Sequence, residues 1–171
     1  VSRVFIPATL EMLEHLVAEG TLQPLSGTGF AVTPALREAY AEGDDEELAE
    51  VAIGEAALAS LRLLAARNDH ADSGPRLRRA VLEVEVPDGS VTDRPDLDDA
   101  VVRVAGPVSM DQVVAAYVDN AGAEPAVRAA IAVIDDADLG DEDAELTVGD
   151  AQDHDLAWYG TQELPFLLEL L

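Results

Sequence analysis

Apolar and polar positions in this chain switch between a two-residue and a 3.6-residue period, and the switches mark out its elements. Arg3-Val4-Phe5-Ile6 is a short β-branched and aromatic run that predicts a first strand ended by Pro7. Thr9 stands where an N-cap belongs, and Leu10, Leu13, Leu16 and Val17 then share one helical face until Gly20 stops the pattern. Gly29-Phe30-Ala31-Val32 reads as a weaker strand. Thr33-Pro34, a capping residue followed by proline at the first helical position, opens a short helix to Ala41. Asp44 with Glu47 three residues on is like a capping box and predicts the longest helix, to about Arg67. Its second half, Ala56 to Ala66, is apolar nearly all round, as expected of a helix buried on several sides.

Residues 68–76 are rich in Asn, Asp, Ser, Gly and Pro and read as a loop. Beyond it, Val81, Glu83 and Glu85 alternate with Leu82, Val84 and Val86, which predicts a half-buried strand over Ala80 to Val86. Ala100 to Val104 is another strand. Ser109 is placed to cap a helix of two turns feeding a strand at Tyr117-Val118-Asp119. Glu124-Pro125 opens a helix to about Asp135, followed by an acidic loop. Short strands are expected near Glu145 to Val148 and Leu156 to Tyr159, then a Leu-rich C-terminal helix. The pattern predicts an α/β (or α+β) fold, a mixed sheet with helices packed on it. One domain is expected over residues 1–171, helix-rich over residues 1–67, with the loop at 68–76 and α/β in character over 77–171.

The chain has 171 residues, of which 49% are hydrophobic, so a true core is within reach and its acidity does not signal disorder. Thirty-five acidic residues face ten basic ones, all arginine, for a formal net charge of −25. Such a surface repels nucleic-acid phosphate and anionic lipid, which excludes direct nucleic-acid binding and membrane attachment. No cysteine is present, which removes disulfides, thiolate chemistry and cysteine-held metals. No signal peptide or bilayer-length apolar run is legible, and a cytoplasmic location is the expectation.

Four segments carry a resemblance that spans nearly the whole chain. They are Val4-Phe5-Ile6-Pro7-Ala8-Thr9-Leu10, Thr33-Pro34-Ala35-Leu36-Arg37-Glu38, Arg94-Pro95-Asp96-Leu97-Asp98 and Leu156-Ala157-Trp158-Tyr159-Gly160-Thr161-Gln162-Glu163-Leu164. Together they resemble an actinobacterial family of similar length. The resemblance implies a cytoplasmic single-domain protein and brings no activity, cofactor or site residue.

The sequence lacks the phosphate-loop, dinucleotide, zinc-protease and nucleophile-elbow motifs. Ser26-Gly27-Thr28-Gly29 has no lysine and reads as a turn. In Asp135 to Asp143 an EF-hand register centred on Gly140 fails at Ala137, Leu139 and Leu146. Glu11, His15 and Glu19 line one helix side, read as a solvated face. His70 falls in the loop. The richest titratable cluster is His154 with Asp150, Asp153 and Asp155, just before Trp158-Tyr159. His154, Asp150, Asp153 and Tyr159 are the catalytic candidates, and His154, Asp153 and Asp155 the metal candidates, since imidazole and carboxylates serve both proton transfer and coordination. Arg76-Leu77-Arg78-Arg79 is the one basic cluster, expected to be neutralised by nearby acids.

No cofactor is expected. The leading functional reading is an acidic, non-catalytic interaction protein with a basic protein partner or self-association through the Leu-rich C-terminus, where Leu164, Leu167, Leu168 and Leu171 must be covered. An enzyme with an acid–base or metal site near His154, and an inhibitor whose carboxylates mimic nucleic-acid phosphates, are the alternatives.

Overall fold

The computed structural model describes residues 1–67 and 76–171. A seven-stranded sheet forms its centre, from β1 (Ser2–Ala8), β3 (Thr28–Phe30), β4 (Ala80–Val86), β5 (Val91–Asp93), β6 (Val101–Val104), β8 (Val113–Asp119) and β9 (Leu156–Gly160). Their spatial order is β5-β6-β3-β1-β4-β8-β9, and each pairing is antiparallel. Two short strands, β2 (Thr21–Leu22) and β7 (Val108–Ser109), pair separately. The helices are α1 (Leu10–Glu19), α2 (Pro34–Ala39), α3 (Asp45–Arg67), α4 (Glu124–Asp138), α5 (Glu142–Gln152) and α6 (Leu164–Leu170).

Strand alternation gives the sheet two apolar faces. Val4, Ile6, Leu82, Val84, Ala116 and Val118 point to one, where Leu10, Leu13 and Leu16 of α1 and Leu164 and Leu167 of α6 cover them. Phe5, Phe30, Val81 and Val101 point to the other, beneath Leu48, Ala52, Ala56 and Ala57 of α3. The far side of α3 turns Leu61 and Leu64 toward Val127, Ile131 and Ile134 of α4 and Val148 of α5. A helix sandwiched between a sheet and a helical hairpin needs apolar residues all round, and this accounts for Ala56 to Ala66. Small residues in α3 let it lie close to the sheet. Its fully buried Ser60 donates from Oγ to the Ala8 carbonyl at 2.7 Å and accepts from the Ala80 N–H at 3.0 Å, stitching the helix to β1 and β4.

The predicted caps are present: the side chains of Thr9, Thr33 and Asp44 accept from Met12 N, Leu36 N and Glu47 N. Gly20 closes α1 at φ 80°. Gly29 is required for a different reason, since a Cβ there would lie 2.5 Å from Val4 Cγ1. The C-terminal leucines are covered by the chain itself, Leu164 and Leu167 buried and Leu168 and Leu171 partly so.

The α/β class expected from the sequence holds, in its α+β form, with an antiparallel sheet where a mixed one was expected. The connection from β8 to β9 shows why. Two helices return the chain to the end it left, so Leu156 pairs with Asp119 and β9 runs back along β8. The two-turn helix expected after Ser109 is a single 3₁₀ turn, Met110–Gln112, still capped by Ser109 and Gln112, and the residues that follow extend β8. Most of the expected acidic loop is helical: Asp135 to Asp138 finish α4 and Asp141 caps α5. Glu145 to Val148, expected as a strand, lies inside α5, where Ala144, Val148 and Ala151 face the core at helical spacing. β1 runs on through Pro7, because its pairing with β3 is confined to Phe5. The loop over 68–76, Arg76 apart, and His70 lie outside the described residues.

Arginines are spent mainly on neighbouring acids, as in Arg37–Asp45, Arg62–Asp138, Arg67–Glu11 and Arg94–Asp96. On α3, burial pushes the Glu55 carboxyl above its ordinary range, Asp98 adds to the shift and Arg62 opposes it. A raised folded-state pKa favours the protonated form. Stability is therefore lost as pH rises from the unfolded carboxylate range through the folded value, and stays lost at neutrality. Glu55→Gln should raise stability at pH 7 by a few tenths of a kcal/mol, with the gain absent near pH ~3. Urea midpoints at the two pH values check this; an equal gain at both would contradict it. Ser60→Ala leaves a buried N–H and a buried carbonyl unpaired and should destabilise by about 1–3 kcal/mol, read from the urea midpoint.

Candidate functional site

Residue Arg79 immediately precedes β4 and Asp119 ends β8, so strand pairing brings them opposite each other. Both are about 1% exposed. Arg79 Nε donates to Asp119 Oδ2 at 2.9 Å and Nη2 to Oδ1 at 2.7 Å, a bidentate pair. Asp119 Oδ2 also accepts from the Arg79 backbone N–H at 2.8 Å. Two further guanidinium donors reach outward, Nη2 to the His154 carbonyl at 2.7 Å and Nη1 to Gln152 Oε1 at 3.0 Å. Gln152 in turn donates from Nε2 to the Gly54 carbonyl in α3 at 3.0 Å. One buried arginine thus ties β4, β8, the end of α5, the start of β9 and α3 together.

Above this knot lies a cleft of about 530 Å³ between α3 and the β8–β9 edge of the sheet. Ile53, Tyr117 and Leu156 give it an apolar lining, and Glu50, His154 and Asp155 stand along it. The Tyr117 hydroxyl donates to Glu83 Oε1 at 2.7 Å, and Glu83 Oε2 lies 3.1 Å from Arg3 Nη1. Glu83 is only 6% exposed. Burial, reinforced by the Glu83 hydrogen bond and charge, pushes the Tyr117 hydroxyl well above its ordinary range, so it stays a donor. Trp158 pairs across the ladder with Tyr117 on the same sheet face. It is 58% exposed. Its ring leans over Gly160, where a Cβ would come within 3.2 Å.

The residues singled out by sequence are brought only partly together. His154 and Asp155 flank the cleft, both exposed, with the His154 carbonyl held by Arg79. Asp153 is exposed at the end of α5, and Asp150 is exposed on that helix. Tyr159 pairs with Ala116 and points through to the α1–α6 side, away from Trp158 and the cleft. Among the described residues no group of three or more His, Asp or Glu is arranged to hold a metal, the set His154, Asp153 and Asp155 included. His15 and Glu19 are exposed as expected, and Glu11 pairs with Arg67. The basic cluster disperses into three ion pairs: Arg76 with Glu14, Arg78 with Glu124 and Arg79 with Asp119.

Sequence reasoning missed Asp119, Glu83 and Tyr117. The available signal was a charge at each of two adjoining strand ends, and a glutamate inside an otherwise apolar alternation. Arg79→Met should destabilise by about 3–5 kcal/mol, because Asp119 is left charged and buried. Pairing that change with Asp119→Leu should recover much of the loss. Urea unfolding of the single and double variants tests this; a double variant no better than Arg79→Met would show that the pair itself is not the cause.

Among the described residues no helix is long and apolar enough to cross a membrane. The curated proteins and the solved structures hold no match to the chain. One family model, described as a family of unknown function (DUF6912), matches residues 2–168, in keeping with a resemblance that runs almost end to end. By that match the chain belongs to the DUF6912 family.

Proposed function

We propose that the protein is a non-catalytic interaction module, set in the cytoplasm, that captures a basic segment of a partner protein at the cleft between α3 and the β8–β9 edge. The observation carrying this reading is the combination of an apolar lining with carboxylates along it. Ile53, Leu156 and the Tyr117 ring suit the aliphatic stems of arginine or lysine, while Glu50 and Asp155 suit their charged heads. The competing cation inside the cleft is already neutralised, since Asp119 holds Arg79 bidentately. Exposed Trp158 adds an indole face of the kind that attracts guanidinium groups. A net charge of −25 speeds encounter with a basic partner and turns away acidic ones. His154 gives the acid–base alternative less support, because its ring is exposed and Tyr159 lies on the other face.

Tetra-arginine amide is a direct probe. Titrated at physiological salt and followed by the fluorescence of the single Trp, it should bind the wild-type chain. Glu50→Gln with Asp155→Asn should weaken it several-fold more than Glu42→Gln with Asp111→Asn, a pair that removes the same charge from exposed positions outside the cleft. Equal weakening by both pairs would reduce the effect to overall charge and overturn the cleft as the site.

A further inference from the structure

The last strand of the sheet has a free side. β9 pairs with β8 along one edge, and among the described residues no other strand pairs with its second edge. Alternate N–H and C=O groups along Leu156–Gly160 therefore face outward, a template for another strand. The five residues, Leu-Ala-Trp-Tyr-Gly, carry no charge and no proline to blunt that edge. The opposite edge differs. β5 has three residues, and Arg94 follows it while Arg103 pairs opposite Thr92.

Local charge identifies what would fit. The chain has no Arg or Lys after Arg128, so β9 lies in a stretch whose charged side chains are all acidic, with Asp150, Asp153 and Asp155 before it and Glu163 after. A second copy meeting the first at β9 would bring two such stretches together, which like-charge repulsion opposes. A basic segment meets no such barrier. Resting on the proposed capture of a basic segment, we propose that this segment adds to β9 as an extra strand, with basic residues alternating with small apolar ones. Backbone hydrogen bonds to the free edge supply the register. Every second side chain then falls on the Trp158 face, where a guanidinium can lie over the indole on the side of the sheet that turns Tyr117 and Leu156 to the cleft. The intervening side chains fall on the Ala157 and Tyr159 face, beside the α1–α6 core. A slip of one residue would exchange the two sets, so the Trp158 face fixes the pairing.

An added strand uses only every second N–H of its backbone, which gives the test a distinctive signature. The probe is an octapeptide of alternating arginine and valine with blocked ends, used unmodified, N-methylated at each valine, or N-methylated at each arginine. Binding is followed by Trp158 fluorescence, and amide hydrogen exchange is measured over Ala157–Gly160. The expected result is that one methylated form binds like the parent while the other weakens at least about tenfold. The parent should also slow exchange in β9. If neither methylated form weakens, if both weaken equally, or if β9 exchange is unchanged, strand addition is overturned while capture of basic segments stands. If neither the parent peptide nor tetra-arginine binds, capture itself is overturned.

Discussion

Burying Arg79 against Asp119 is the constraint on which the arrangement of the cleft depends. A guanidinium removed from water is tolerated only when its donors are met, and here the partners come from separate stretches of the chain. Satisfying it fixes the ends of β4 and β8, holds the turn from α5 into β9 by the His154 carbonyl, and draws Gln152 against Gly54 of α3. The cleft wall, its mouth and the edge strand beside it all hang from that point. Hydrophobic burial could assemble these layers in more than one relative setting. A bidentate ion pair with directional hydrogen bonds admits far fewer.

The architecture above it follows from how the sheet is covered. One face is closed by two amphipathic helices, α1 and α6, whose leucines meet valines and isoleucine from the strands. The other is closed by α3, which is itself covered by the α4–α5 hairpin. Because α3 shields only a portion of its face, the surface near Arg3, Glu83, Tyr117 and Trp158 is left to polar and aromatic side chains. Glu83 is kept nearly inaccessible there by an arginine on one oxygen and a tyrosine hydroxyl on the other.

Legibility in the sequence tracked how local each signal was. Caps at Thr9, Thr33 and Asp44, the alternation in Ala80 to Val86 and the all-round apolar stretch of α3 depend on neighbours within a turn or a strand, and each is present in the fold. Where competing periods overlap, the local pattern is ambiguous. Val113 to Ala116 has no polar interruption, so a cap at Ser109 suggested helix, and pairing with β4 on one side and β9 on the other made it strand. In Glu145 to Val148, β-favouring residues masked a helix whose inward positions are Ala144, Val148 and Ala151. The candidate site was half visible. His154, Asp155 and Trp158 stand out by type, whereas Asp119 and Glu83 matter through partners 40 and 34 residues away, a distance no local pattern spans. Tyr159 is next to Trp158 in sequence, and the two-residue period of a strand puts them on opposite faces.

The bare outer edge of β9 gives the acidity a second role. Natural sheets guard such edges with lysine, proline or a bulge within the strand itself, and Leu156–Gly160 has none of these. What stands in for them is a long-range field from carboxylates elsewhere, most densely those of the lysine- and arginine-free C-terminal stretch. Packing and dispersal are thus entrusted to different residues, the first to the apolar clusters and the buried pair that orients them, the second to acids that touch little. Near the isoelectric point of about 4.1 the second safeguard falls away while the sheet edge remains intact. With that repulsive coat gone, two copies can meet β9 to β9 across the bare edge, a contact that closes on itself because the β5 edge at the far side is short.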